Sequence, residues 1–287
     1  METLSLRLFD ESDIEFAHKL TMIEGWHLIK RDIERMLNYN PSGCFIAEMK
    51  GERVGHVFSV NYGNVGWIGL LIVRAEYRRK GIGKLLMEKA MSHLLSHKVQ
   101  TIKLEAVPII ANLYRKLGFI DEYDSLRISG TSKKTASTSN LNLKPLKKEI
   151  IKEIAKFDAE YFGANRIKVL TSLYEDYPKT CFVSYEENKI AGYIICRKAE
   201  DGYRLGPWVC NPENPQTAKG LLTKCVEKLQ QNMKIYAAVP TVNKMAVEIL
   251  REFGFEQYSK GIRMHFGKEL ETEHAEGMFA ISGPEKG

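Results

Sequence analysis

One pattern occurs twice in this chain, and that repeat constrains the fold more than any other feature. Ala106-Val107-Pro108 leads to Leu113-Tyr114-Arg115-Lys116-Leu117-Gly118-Phe119. About 135 residues later, Ala238-Val239-Pro240 leads to Ile249-Leu250-Arg251-Glu252-Phe253-Gly254-Phe255. Residues 45–56 parallel residues 182–193 in the same order, each stretch with a glycine after its turn, Gly55 and Gly192. A repeat of this period means two copies of one domain, not a solenoid. The length of 287 residues agrees, at about 150 residues per domain. Residues 130–140 are rich in Ser and Thr and offer nothing to bury. The chain therefore divides, on this reading, into domains 1–130 and 143–287 joined by a linker at 131–142.

Hydrophobic periodicity places the elements. The first copy reads as a strand at 4–8, helices at about 10–20 and 28–37, and strands at 44–49, 54–62 and 65–73. A helix at 81–95, a strand at 101–107, a helix at 109–117 stopped by Gly118 and a strand from Phe119 complete it. The stretch 65–73 is nearly continuously apolar and reads as central in a sheet. The second copy reads as helices at 146–161 and 166–174, strands at 180–185, 190–197 and 204–210, a helix at 216–229, a strand at 234–239, a helix at 243–253 and a strand from Phe255. This is a mixed α/β pattern, a twisted mixed sheet flanked by helices in each copy. It lacks the regular βαβ alternation of a dinucleotide fold.

Composition narrows the setting. With 44% hydrophobic and 27% charged residues, the chain can build a packed core. It holds no apolar run of 18 or more residues, so no membrane-spanning helix is expected. The start carries acidic charge and lacks the basic and apolar regions of a signal peptide. The five cysteines are scattered, odd in number and without a CxxC pair. No disulfide framework and no metal site are expected, and a reducing cytoplasm is the expected setting. The net charge of +6 is modest, and no nucleic-acid-binding motif is visible, so no nucleic-acid role is expected.

The positive charge is concentrated. Val73-Arg74-Ala75-Glu76-Tyr77-Arg78-Arg79-Lys80-Gly81-Ile82-Gly83-Lys84 follows the apolar strand and opens the amphipathic helix. Two glycines permit close backbone approach, and the first turn of a helix presents free N–H groups to an anion. Arg74, Arg78, Arg79, Lys80 and Lys84 surround that point. The spacing is not a Walker A loop and lacks its Ser or Thr, and it is not a Rossmann fingerprint.

These residues resemble the GNAT superfamily of acyl-CoA-dependent N-acyltransferases. Its string Arg/Gln-x-x-Gly-x-Gly/Ala is matched by Arg78, Gly81 and Gly83. A second string, Leu-Tyr-x-Lys-x-Gly-Phe, is matched by Leu113, Tyr114, Gly118 and Phe119. The resemblance covers residues 1–130 most strongly. The second copy departs from it where the phosphate turn should lie: Asn211-Pro212-Glu213-Asn214-Pro215 replaces the glycine turn, and Leu250 stands where the first copy has Tyr114. The chain is thus similar to tandem GNAT proteins with a working first copy and a degenerate second copy that helps form the acceptor site. An Asn that the family often carries before the Tyr is Val107 here, and Asn243 keeps it in the second copy.

The resemblance implies acetyl-CoA as acyl donor, coenzyme A as product and a primary amine as acceptor. The amine is a small molecule, or a lysine or N-terminal amine of a peptide. It implies phosphate contacts from Arg78, Arg79, Lys80, Gly81, Ile82, Gly83 and Lys84, and pantetheine along Leu71, Ile72 and Val73. Tyr114 is the expected acid for the departing thiolate and contacts the donor. Glu105, on the strand flanking the cleft, is the expected general base by position; His56, on a strand near the same cleft, and Glu24, which could also bind the amine, are the other candidates. The segment Ile23-Glu24-Gly25-Trp26-His27 is expected at the acceptor pocket. Residues of the second copy are candidates for its far wall, either Tyr161, Phe162, Asn165 and Arg166 or Tyr203, Arg204, Trp208 and Glu213. The competing reading is a non-catalytic acyl-CoA-binding module that recruits a partner through its second domain. The chain is expected to be a monomer or a homodimer.

Overall fold

The computed structural model describes residues 4–132, 141–270 and 272–287. Chain order is β1 (Leu4–Leu8), α1 (Ile14–Ile23), α2 (Lys30–Tyr39), β2 (Phe45–Met49), β3 (Glu52–Asn61), β4 (Val65–Val73), α3 (Ile82–Ser96), β5 (Thr101–Ala106), α4 (Ala111–Lys116) and β6 (Ile120–Thr131). The second half gives β7 (Leu143–Pro145), α5 (Ile151–Phe162), α6 (Ile167–Asp176), β8 (Cys181–Glu186), β9 (Lys189–Ala199), β10 (Gly202–Cys210), α7 (Pro215–Val226), β11 (Lys234–Pro240), α8 (Lys244–Glu252), β12 (Glu256–Gly267) and β13 (Met278–Ala280). The two halves follow one plan, as the repeat requires. The three-residue β7 is too short to show a period and was not expected.

The strands form one sheet in the order β1-β2-β3-β4-β5-β12-β6-β11-β10-β9-β8-β7, with β13 on β10. The centre of that order is an exchange. β12, from the second half, pairs antiparallel with β5 from Ile262↔Ala106 to Gly267↔Thr101. β6, from the first half, pairs with β11 from Ser125↔Pro240 to Thr131↔Lys234. β6 and β12 also pair with each other. Each half thus completes the other's sheet. Strand β6 runs through Gly130 and Thr131, where composition suggested a loop, because both residues pair with β11. Ser132 is buried and its hydroxyl donates to the Gln230 carbonyl. Residues 133–140 of the expected linker lie outside the described residues.

Three cores cover the sheet. Helices α3 and α4 bury Ile82, Leu86, Ala90, Leu94 and Ala111 against the first half's strands. Helices α7 and α8 bury Leu221, Leu222, Ile249 and Leu250 against the second half's. On the opposite face Ile33 and Met36 of α2 share one core with Val169 and Leu173 of α6, so the halves meet through buried apolar surface. Ion pairs reinforce that contact: Asp176 of α6 pairs with Arg35 and, at 2.9 Å, with Arg31. No helix among the described residues is long and apolar enough to cross a membrane.

Candidate active site

The phosphate turn has the geometry its glycines allow. Gly81 caps α3 in the left-handed region (φ 82°) and supplies no side chain to the helix end. A Cβ at Gly81 would meet nothing within 4 Å, and one at Gly83 would touch only Val73 at 3.8 Å. There is thus space beside the start of a fifteen-residue helix, whose first-turn N–H groups lack intrahelical acceptors and carry the helix's positive end. A helix start of this kind suits an anion. The surrounding cations are not equivalent. Arg74 binds Glu76 at 2.9 Å and Glu52 at 3.3 Å. Arg78 donates to the Val73 carbonyl at 2.9 Å and pairs with Glu24. Lys84 sits 3.6 Å from Glu88, and Lys80 lies over the Tyr77 ring at 5.1 Å. Arg79 and Lys80 make no ion pair among the described residues, so no carboxylate neutralises either charge there.

Above the turn the sheet opens. β4 and β5 pair in parallel only from Val65↔Thr101 to Trp67↔Lys103. β4 then bulges: its register with β3 shifts between His56 and Phe58, and Leu70 takes φ 50°. A bulge breaks the ladder and re-aims the backbone, and a non-glycine residue at positive φ is strained. A cavity of about 210 Å³ lies in the opening. Leu70, Leu71, Leu104 and Tyr114 line it, with Glu24, Trp26 and Leu28 of the first half and Arg204, Tyr258 and Glu285 of the second.

Tyr114 is nearly buried, packs against Phe119 at 6.0 Å between ring centroids, and lines the cavity. Burial raises its pKa well above the ordinary range, so the phenol keeps its proton at any working pH. Glu24 also lines the cavity and is the partly exposed carboxylate there. Gly25, in the left-handed region, turns the chain out of α1 and exposes it.

Glu105 is placed differently. It lies on β5 opposite Leu104, as strand alternation requires, and its residue borders the cavity. Its carboxylate is fully buried, accepts from Arg263 at 3.0 Å and lies 3.9 Å from Arg127. Arg263 continues the network to Glu273 at 3.1 Å and covers the Trp67 ring at 4.5 Å. Lys103, one alternation earlier, pairs with Glu122 at 3.0 Å and with Glu273. Burial, then the Arg263 charge, pushes Lys103 down to about 8. Glu105 thus belongs to a charged seam between the exchanged strands.

His56 does not reach the cavity, which corrects the expectation from sequence. β3 is buried on both faces, so alternation gave its polar residues no exposed side. The ring lies edge-on to Phe9, Phe16 and Phe58. Burial pushes its pKa down to about 4. The cysteines are all buried and free, and burial pushes Cys44 up to about 12.

Of the second-half residues expected at the far wall, Arg204 lines the cavity and donates to the Trp26 carbonyl at 2.6 Å. Phe162 and Trp208 are core residues, and Arg166 is buried against Asp158 at 2.7 Å. Arg127, Tyr258, Ser259, Pro284 and Glu285 also border the cavity and carried no local signal. They arrive through the exchanged strands and the last residues of the chain, which no periodicity reveals.

The equivalent turn of the second half is closed. α7 is capped by Asn214, whose side chain accepts from the Thr217 N–H at 3.1 Å, with Pro215 at the first helical position. Leu250 is buried in the core. Asn243 caps α8, accepting from Ala246 N–H at 2.8 Å, so the Asn kept in this half serves its helix.

Comparison with known proteins adds the family. Residues 8–119 match the acetyltransferase (GNAT) family, and residues 154–280 match an acetyltransferase (GNAT) domain. Holothin acyltransferase of Pseudoalteromonas sp. (strain SANK 73390) is 26% identical over 260 residues, 90% of this chain and 86% of the relative. The solved structure of a proposed acetyltransferase from Pyrococcus horikoshii superposes with a TM-score of 0.84 at 25% identity, covering 100% of this chain and 97% of that one. A tandem GNAT protein from the clavulanic acid biosynthesis pathway shares the fold, with a TM-score of 0.63 at 13% identity over 92% of this chain and 98% of that one.

Proposed function

Since the chain belongs to the GNAT family of N-acyltransferases, with one GNAT domain in each half, we propose that its first half moves an acetyl group from acetyl-CoA to a small primary amine held in the cavity between β4 and β5. The observation that carries this reading is the alignment of three features: the open N-terminus of α3, the bulged opening of β4, and Tyr114 on the cavity wall. The first-turn N–H groups around Gly81, Ile82, Gly83 and Lys84, with Arg79 and Lys80, hold the phosphates. The backbone of Leu71, Ile72 and Val73 guides the pantetheine, and the bulge at Leu70 aims backbone polar groups at the thioester.

The amine nitrogen attacks the thioester carbonyl carbon; the C–N bond forms and the C–S bond breaks. Glu24 takes the amine's proton, directly or through water, and Tyr114 supplies a proton to the departing sulfur. The products are an amide and the coenzyme A thiol, and the two side chains regain their starting states by exchange with solvent. Glu24 suits this role better than Glu105: its carboxylate pairs with Arg78 but stays partly exposed, whereas that of Glu105 is fully buried between Arg263 and Arg127. The volume of about 210 Å³, closed by parts of both halves, favours a small amine over a peptide side chain on a folded protein. The relative named holothin acyltransferase supports acyl transfer as the reaction class.

An amine panel with acetyl-CoA, read by release of free thiol, tests the proposal. Turnover with at least one amine, lost on replacing Tyr114 with Phe, is expected. Thiol release that no amine accelerates would contradict it.

A further inference from the structure

The second half has the same opening between strands as the first. β10 and β11 pair in parallel only from Gly202↔Lys234 to Arg204↔Tyr236, and β10 then shifts register between Leu205 and Trp208. This opening is filled by the chain itself. β13 pairs antiparallel with β10 (Trp208↔Ala280, Val209↔Met278), and Ile281 N–H donates to the Ala238 carbonyl of β11 at 3.0 Å. Phe279 is fully buried against Trp208, 5.0 Å between ring centroids.

From there the chain crosses to the first half past two glycines. A Cβ at Gly206 would overlap the Ile281 carbonyl oxygen, and one at Gly69 would lie 2.5 Å from Glu285 Cα. Three side chains bind carbonyls of the crossing segment. Trp67 Nε1 donates to the Pro284 carbonyl at 3.0 Å, Tyr62 Oη to the Lys286 carbonyl at 2.8 Å, and Arg166 to the Gly287 carbonyl at 2.7 Å. Arg197 and Lys286 both bind the Glu285 carboxylate. Pro284 and Glu285 then form part of the wall of the first half's cavity.

We propose that residues 278–287 are the resident strand of the second cleft and a positioning segment of the first site: the second half holds a piece of its own chain where the first half takes an acyl-CoA, and through it sets the acceptor side of the cavity. This rests on the acyl-transfer reading of the first half. It also gives the second half a role that needs no phosphate turn. Its loss of the glycine turn and of a tyrosine at Leu250 follows, because a cleft occupied by β13 has no use for either. The reason for the two glycines also becomes clear. Neither sits in a turn between elements; each removes a side chain where the tail backbone passes over a fourth strand.

The test uses the full chain with changes at the tail's seat that lie outside the cavity lining. Phe279→Ala removes the ring packed on Trp208, and Trp67→Phe removes the donor to Pro284 while keeping an aromatic ring. Each is expected to raise the KM for the amine on the order of tenfold, since small displacements of a positioning wall cost that much or more. The dissociation constant for acetyl-CoA should stay within about twofold. Hydrogen exchange over residues 278–287 should rise in both variants, and Phe279→Leu should restore the wild-type KM. An unchanged KM in a variant whose tail exchange has risen would overturn the proposal. So would equal loss of amine and acetyl-CoA binding, which is what a merely structural role gives. If Phe279→Ala does not fold, Trp67→Phe carries the test. Wild-type turnover with an amine checks the underlying reading separately: its absence would sink acyl transfer, whereas a normal wild type with an unresponsive KM would sink only the tail's role.

Discussion

The two clefts of this chain are built on the same strands and end in opposite states. In the first, β4 and β5 diverge over a cavity, α3 begins with a bare Gly81, and Tyr114 lines the wall. In the second, β10 and β11 diverge over β13, α7 begins with Asn214 and a proline, and Leu250 is packed away. The difference comes down to how each half satisfies the same physical demand. Diverging strands leave backbone groups without ladder partners, and a helix start leaves N–H groups without acceptors. The first half leaves these groups unmet at its cleft and turn among the described residues; the second meets them with its own residues. One turn and one tail thus account for the visible difference between the two clefts.

The largest effect that would break this comparison is at the open turn. Gly81→Val forces a β-branched residue into the left-handed region, at about 1–2 kcal/mol of strain, and projects it into the anion's space. Acetyl-CoA affinity should fall by about a hundredfold or more, read by calorimetry. Tyr114→Phe should lower kcat by about a hundredfold, the usual scale for a lost proton donor, and leave acetyl-CoA affinity within twofold. Stability should hardly change, because the Tyr114 hydroxyl makes no hydrogen bond among the described residues. Equal kcat would show that the first cleft does not use its tyrosine and would narrow its difference from the second.

Smaller changes sharpen the contrast. Asn214→Ala should cost about 1 kcal/mol in thermal or denaturant unfolding through the lost cap, and leave acetyl-CoA affinity unchanged. His56→Leu should keep turnover within about twofold, on the view that the ring lies in the core. His56 also has a pH signature. With its folded pKa lowered to about 4 from an ordinary value of 6.5, the unfolded chain binds more protons between those values. The stability it contributes is present above about 6.5 and is lost as pH falls toward 4. The leucine variant should therefore show a shallower loss of stability on acidification, measured by urea unfolding at a series of pH values.

Much of the first site was legible in the sequence because its signals are local. The strand at Val65–Val73, the helix after Gly81 and Tyr114 before Gly118-Phe119 are all set by neighbouring residues. The turn proposed for the phosphates was visible from glycine and charge alone. Pairings between distant residues were not legible. A strand such as β12 shows the same alternation whether it pairs within its own half or with β5, so the exchange left no trace. Glu105 looked like a cleft carboxylate until Arg263 arrived from β12. The Met278–Ala280 stretch is apolar, which suits a strand, but its seat on β10 and the passage of Glu285 over Gly69 depend on the assembled fold.

The asymmetry of the two clefts is tested most directly by titrating acetyl-CoA onto the intact chain in a calorimeter, with the wild type beside Gly81→Val and Asn214→Ala. One equivalent per chain, lost in Gly81→Val and kept in Asn214→Ala, is the predicted result. Two equivalents, or a single one that survives Gly81→Val, would contradict it.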